Sequence, residues 1–273
     1  LNKNIQLVKN EFSIKKGENI ENVLIDNVKN ISFFDRYLIK IYDQAYFITR
    51  KKFIHYGNFK INNNSSLIDF LEIIYNPSNV LTKIIIVEGW SKNQLENEIT
   101  KYFDKYYLIP YEDIIADTYY YQTRDFRYFI KYLNNNKKKY FKNFKNHEIL
   151  KNFTENEIMI IGSLIEKEGL DYEDKKKISS VIFNRLNKNM KLQIDATVLF
   201  AITNGQYTLE RNLLLKDLKI DHPFNTYKIN GLPPEPISYV GKKTLDIIFE
   251  NYKTDFLFYF FNKSLNRHVF SKT

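Results

Sequence analysis

The chain has 273 residues, 44% of them hydrophobic and 27% charged, a balance that supports one or two buried cores and excludes a disordered chain. A formal charge of +9 and a pI near 9.2 favour an anionic partner: nucleic acid, acidic lipid or an acidic wall polymer. There is no cysteine, so disulfides and thiolate metal sites are excluded, and the four histidines (His55, His147, His222, His268) match no metal-binding spacing.

From the N-terminus, "EFSIKKGENI" predicts a strand, a Lys-Lys-Gly turn and a helix start. Val28, Ile31, Phe34, Leu38 and Ile41 follow at helical spacing and predict one buried stripe. "YFITRKK" and "GNFKI" read as strands, and Ser65 or Ser66 as the N-cap of a helix over "LIDFLEIIY". "LTKIIIVEGWSKNQLENEITKYF" predicts a buried strand, a Glu-Gly turn and a helix capped by Ser91. Residues 117–150, rich in Tyr, Lys and Asn, read as a helical connection. Beyond them Thr154 and Glu157 form a capping box ahead of Ile158, Ile161 and Ile165. A second helix carries Ile178, Val181, Ile182 and Leu186 on one stripe, and the chain closes with two strand-like runs across "NKSLN". The expected fold class is α+β, with small N-terminal α/β modules over 1–116, a connection over 117–150 and a mixed α+β domain over 151–273. No run approaches the ~18 apolar residues of a membrane span. The chain starts at Leu1, consistent with an excised soluble portion.

The candidate chemistry sits in the second half. Glu166 lies one residue beyond the apolar stripe, and a carboxyl at the border of an apolar patch loses hydration, which raises its pKa. That suits a general acid acting on a sugar–oxygen bond. The plainer reading is a helix-end glutamate paired with Lys167 or a neighbour, and Glu168 reads as solvated or as a structural partner. Arg185, seven residues after Ile178, falls on the buried stripe beside Asn184 and needs a carboxylate or carbonyl partner. Gln193, Asp195 and Thr197 alternate with Leu192, Ile194 and Val198, so one polar face is available to line a cleft. "FNTY" and "GLPPEP" read as rigid loops suited to a cleft wall or a simple connection.

Taken in order, "IIGSLIEKEG", "VIFNRL", "MKLQIDATVLFAI", "HPFNTYKINGLPPEPIS" and "FLFYFFNKSLNRHVFSKT" resemble the signature segments of the endolytic murein transglycosylases, the YceG-like family. "GNFKI", "IIIVEGW" and "IIADTYYY" resemble that family's N-terminal portion. The resemblance places the catalytic glutamate at Glu166. It places substrate-binding motifs at Asn184 and Arg185, at Gln193, Asp195 and Thr197, and at Asn225, Thr226 and Tyr227. Gly162, Ala116, His222, Phe224 and Glu235 stand where the family usually carries other residues.

The resemblance implies a LysM-like N-terminal region and a C-terminal catalytic domain. Its implied activity is lytic cleavage of peptidoglycan glycan strands, without metal or cofactor, leaving 1,6-anhydro-MurNAc ends. The implied setting is the bacterial inner membrane, reached through a single N-terminal anchor outside this chain, with the catalytic region facing the periplasm or cell exterior. Peptidoglycan synthases are implied partners, and nucleic acid is not. A hydrolytic muramidase and a non-catalytic wall-binding scaffold are the alternatives.

Overall fold

The computed structural model describes residues 3–29, 31–50, 53–62, 64–122 and 125–273. It is mixed α+β and divides into two compact units, Leu1–Ile84 with Tyr120–Phe129, and Ile85–Tyr119 with Ile130–Thr273.

The first unit contains β1 (Gln6–Leu7), β2 (Glu11–Ile14), α1 (Ile20–Asn27), β3 (Val28–Lys29), α2 (Phe33–Arg50), β4 (Gly57–Lys60) and α3 (Leu67–Ile74). β1 pairs antiparallel with β3, and β2 with β4, where Phe12 stands opposite Phe59. Phe12 stacks on Phe59 and Phe70 at centroid distances of 5.8 and 5.3 Å, forming a core with Val23, Leu24, Leu71 and Ile74. Ser66 and Asp69 close a capping box at the start of α3, as the Ser-x-x-Asp spacing allows.

The stripe expected over Val28–Ile41 does not form. The chain leaves α1 into β3 and restarts as α2 at Phe33, so the register breaks. Phe34 and Ile41 are exposed, and Ile39 is buried in their place. The strand expected at "YFITRKK" is also displaced, because Tyr46–Thr49 continue α2; its last residues lie outside the described ones.

Along the chain come β5 (Thr82–Ile85), α4 (Lys92–Ile99), β6 (Thr118–Tyr121) and α5 (Phe126–Lys142). The rest of the second unit is α6 (Glu155–Glu168), α7 (Tyr172–Asn187), α8 (Asp195–Thr203), α9 (Lys242–Glu250), β7 (Phe258–Asn262) and β8 (Arg267–Ser271). α6, α7 and α9 pack on one another around Ile158, Ile161, Ile165, Ile178, Val181 and Leu245, all essentially inaccessible. Each such side chain contributes about 2 kcal/mol by leaving water.

Gly162 sets how closely the 237–241 segment approaches α6, since a Cβ there would stand 2.6 Å from Val240 Cγ1. Ser163 Oγ accepts from Ile237 N–H at 3.0 Å and pins the same segment. β7 and β8 form an antiparallel hairpin with Tyr259 opposite Phe270 and Phe261 opposite His268. Among the described residues no helix is long and apolar enough to cross a membrane.

Candidate functional site

The two glutamates at the end of α6 have different environments. The Glu166 side chain is only 3% exposed. Its Oε1 accepts from the Gly241 N–H at 2.9 Å, and its Oε2 pairs with Lys175 Nζ. Lys175 is steadied by Thr244 Oγ1 at 3.1 Å. Gly169 makes this pair possible: a Cβ there would sit 2.2 Å from Lys175 Cγ. Of the partners considered for Glu166, Lys167 reaches the Gly89 carbonyl instead, at 3.3 Å. Both oxygens of Glu166 are therefore occupied by donors that tie α6, α7 and α9 together.

Glu168 is partly open to solvent, although the protein around its carboxyl excludes most water. Burial is the main influence and pushes its pKa above the usual carboxylate value, and the nearby Asp195 charge pushes the same way. Opposing these, the Tyr259 hydroxyl donates to Oε2 at 3.2 Å, the Ala196 N–H donates from the first turn of α8, and His268 lies close by. α8 has no side-chain N-cap of its own, so the Glu168 carboxyl meets the positive end of that helix. Behind Tyr259, the His268 ring stands perpendicular to the tyrosine ring with centroids 5.4 Å apart. His268 Nδ1 meets Asp174 Oδ2 at 2.8 Å, with both side chains buried.

The remaining predicted residues divide by exposure. Gln193 and Asp195 are exposed, and Asp195 Oδ1 accepts from the Tyr227 hydroxyl at 2.6 Å. Burial and the Asp195 carboxylate raise the Tyr227 pKa, so its proton stays on the phenol. Gln193 takes a left-handed backbone, φ 50°, that turns the chain into α8, and its N–H donates to the Thr226 carbonyl at 3.1 Å. Thr197 was expected on the same polar face but is fully buried. The alternation ends where α8 begins at Asp195, so the side chain turns inward. There Thr197 Oγ1 and Thr226 Oγ1 lie 2.9 Å apart, and Thr226 Oγ1 accepts from the Ile194 N–H at 2.9 Å.

Asn225 is also fully buried, donating to the carbonyls of Leu218 and Ile220 at 3.1 and 2.7 Å. Asn184 donates to the carbonyls of Thr254 and Phe256 at 2.8 and 2.9 Å. Arg185, 6% exposed, binds the carbonyls of Leu257 at 2.6 Å, Leu192 at 2.6 Å and Lys191 at 3.2 Å. These five residues hold the segments that carry Gln193, Asp195, Tyr227 and Tyr259.

The structure thus brings Glu168, Asp195, Tyr227 and Tyr259 together, with Glu166 held apart in its own ion pair. Such a cluster can present one proton from a desolvated carboxylic acid next to an ionisable second carboxyl group. Glu168 and Tyr259 were missed as functional candidates. Ile158, Ile161, Ile165 and Glu168 follow one another at spacings of three, four and three, a signal that places Glu168 on the buried stripe. Tyr259 offers no local signal, because its partner lies 91 residues away. Among the described residues no group of His, Asp or Glu is arranged to hold a metal ion.

The sequence profile of the YceG-like family matches residues 12–273. Over 116 residues, 42% of this chain and 31% of the relative, the sequence is 45% identical to the endolytic murein transglycosylase of Bacillus subtilis strain 168. The protein of the same name from Streptococcus pneumoniae D39 is 39% identical over 114 residues, 40% of this chain and 20% of that protein. The chain therefore spans about a third or less of these curated relatives. The crystal structure of the Listeria monocytogenes protein lmo1499, described as yceG-like, superposes with a TM-score of 0.57 and 22% identity, covering 96% of each chain, which shows a shared fold.

Proposed function

The chain belongs to the YceG-like family, and from that premise we propose that it cleaves the glycan strands of peptidoglycan between MurNAc and GlcNAc, with Glu168 as the acid. The observation that carries this reading is the Glu168 carboxyl itself, pushed up by burial and kept accessible beside Asp195 and Tyr227. A carboxyl that retains its proton near neutral pH can donate it to the glycosidic oxygen as positive charge builds on the sugar ring.

In the lytic course, the resulting carboxylate accepts the proton of the muramoyl 6-hydroxyl while that oxygen attacks its own anomeric carbon. The bond to the leaving sugar breaks and a 1,6-anhydro end forms. One carboxyl suffices because the nucleophile belongs to the substrate, and intramolecular attack gains from proximity. Gln193, Asp195 and Tyr227 orient sugar hydroxyl and acetamido groups in this reading. Asn184, Arg185, Thr197, Asn225 and Thr226 position them from beneath, and Glu166 keeps the end of α6 in place.

A hydrolytic second reading is favoured by one observation: the Asp195 charge acts on Glu168, and two neighbouring carboxyl groups are what a water-activating pair requires. Mass spectrometry of digested sacculi separates the two. The lytic reading expects anhydro ends as the major product. Ends heavier by one water indicate hydrolysis, and no soluble product from folded protein defeats both.

The catalytic region in this proposal is 151–273, with 117–150 connecting it to a LysM-like, glycan-holding region over 1–116. The proposed setting is outside the cytoplasmic membrane, on a membrane-tethered protein working with peptidoglycan synthases. The support is the activity for which the Bacillus and Streptococcus relatives are named.

A further inference from the structure

A recess of about 420 Å³ opens in the second unit, and Glu168 is not among the residues that line it. Asn136 and Lys139 line it from one face of α5, three residues apart, and Asn143 from the turn just after that helix. Lys242 and Asp246 line it from α9, and Asp117 from just ahead of β6. Lys139 and Lys242 are exposed, and among the described residues neither has an acidic partner. Lys175, by contrast, is neutralised by Glu166. Asp246 Oδ1 accepts from the Tyr140 hydroxyl at 2.7 Å, which fixes the carboxylate and leaves Oδ2 for another donor.

The lining thus offers two unpaired ammonium groups, two carboxylates and two amides around a recess large enough for a few amino-acid residues. Such a set is complementary to a ligand with both carboxylates and a free amine, linked by peptide bonds. Sugars of the murein strand are uncharged once the lactyl group is amidated, so the charges of that substrate lie on its peptide. We infer that this recess binds the stem peptide of the murein strand, an inference that rests on the reading of the substrate given above. α9 connects the recess to the reaction side, because its N-cap Gly241 and its Thr244 hold the Glu166–Lys175 pair two residues before Glu168.

The test titrates residues 1–273 with an amidase-released murein tetrapeptide by calorimetry. Wild type is expected to bind the tetrapeptide, and the Lys139→Ala/Lys242→Ala variant to bind it about tenfold more weakly or worse. Both lysines are exposed, so the fold should tolerate the change. The charge reversal Lys139→Glu/Lys242→Glu should abolish binding. On peptide-bearing strands the alanine variant should lose kcat/KM by a similar factor, while turnover of amidase-stripped strands stays at the wild-type level. No binding by wild type, equal binding by all three proteins, or an equal loss on both strand types overturns the inference. Tetrapeptide binding by a protein that cleaves no strand sinks the catalytic reading and leaves this site standing; cleavage without tetrapeptide binding does the reverse.

Discussion

The Tyr259 hydroxyl donates to Glu168 Oε2 at 3.2 Å, from a hairpin whose other strand supplies His268 behind the tyrosine ring. This bond favours the ionised form of Glu168, whereas burial favours the neutral one. Tyr259→Phe should therefore raise the Glu168 pKa further. The falling limb of the pH–rate profile is expected to move to higher pH, with kcat reduced several-fold as the carboxyl loses an orienting contact. A profile that keeps its position would show that the hydroxyl has no hold on the acid.

The raised pKa of Glu168 has a sign that can be checked in both activity and stability. In the proposed mechanism the protonated form is the donor, so turnover should fall as pH rises through the raised value. Folding favours the same protonated form. Its contribution to stability is fully present below the ordinary value of 4.5 and is lost as pH climbs through the folded-state value. Thermal melts across pH should show wild type losing Tm relative to Glu168→Gln over that window. Parallel curves would contradict a buried, titrating Glu168.

Arg185 binds three carbonyls from two separate segments with almost no exposure. Arg185→Ala should leave those carbonyls unpaired and cost about 2–4 kcal/mol, lowering Tm by about 5–10 °C. Once folded, the variant should keep the pH profile of wild type, because the guanidinium positions the loops without meeting the acid. A shifted profile at unchanged Tm would assign Arg185 to the reaction.

The Thr197–Thr226 hydroxyl pair fixes the turn that presents Gln193 and Asp195. Thr226→Val removes the acceptor of a buried N–H and should cost about 1–3 kcal/mol. The accompanying drift of Asp195 and Tyr227 should lower kcat/KM by about tenfold. Thr226→Ser keeps the hydroxyl and should restore most of both, as measured by Tm and by release of soluble muropeptides.

Much of the local structure is readable because it rests on local rules. Thr154 with Glu157 announces α6, Ser66 with Asp69 announces α3, and an Asn-Lys-Ser-Leu-Asn turn announces the closing hairpin. The stripe over Val28–Ile41 misleads because helical spacing alone cannot register a break into β3. At the site, spacing places Glu168 on the stripe of Ile158, Ile161 and Ile165. A reading centred on Glu166 weighs the border of that stripe instead. The anchoring role of Asn184 depends on carbonyls 70 and 72 residues away, and that of Glu166 on a backbone N–H 75 residues away. Such pairings exist only once α6, α7 and α9 have packed.

The most direct measurement compares Glu168→Gln with Glu166→Gln on purified sacculi, with melting curves taken alongside. Glu168→Gln should melt near wild type at acidic pH yet release almost no soluble product, because its side chain has no proton to give. Glu166→Gln should melt at a lower temperature, having lost its partner's charge balance, and still cleave. A folded Glu168→Gln that cleaves at the wild-type rate, beside an equally folded and inactive Glu166→Gln, would contradict the account.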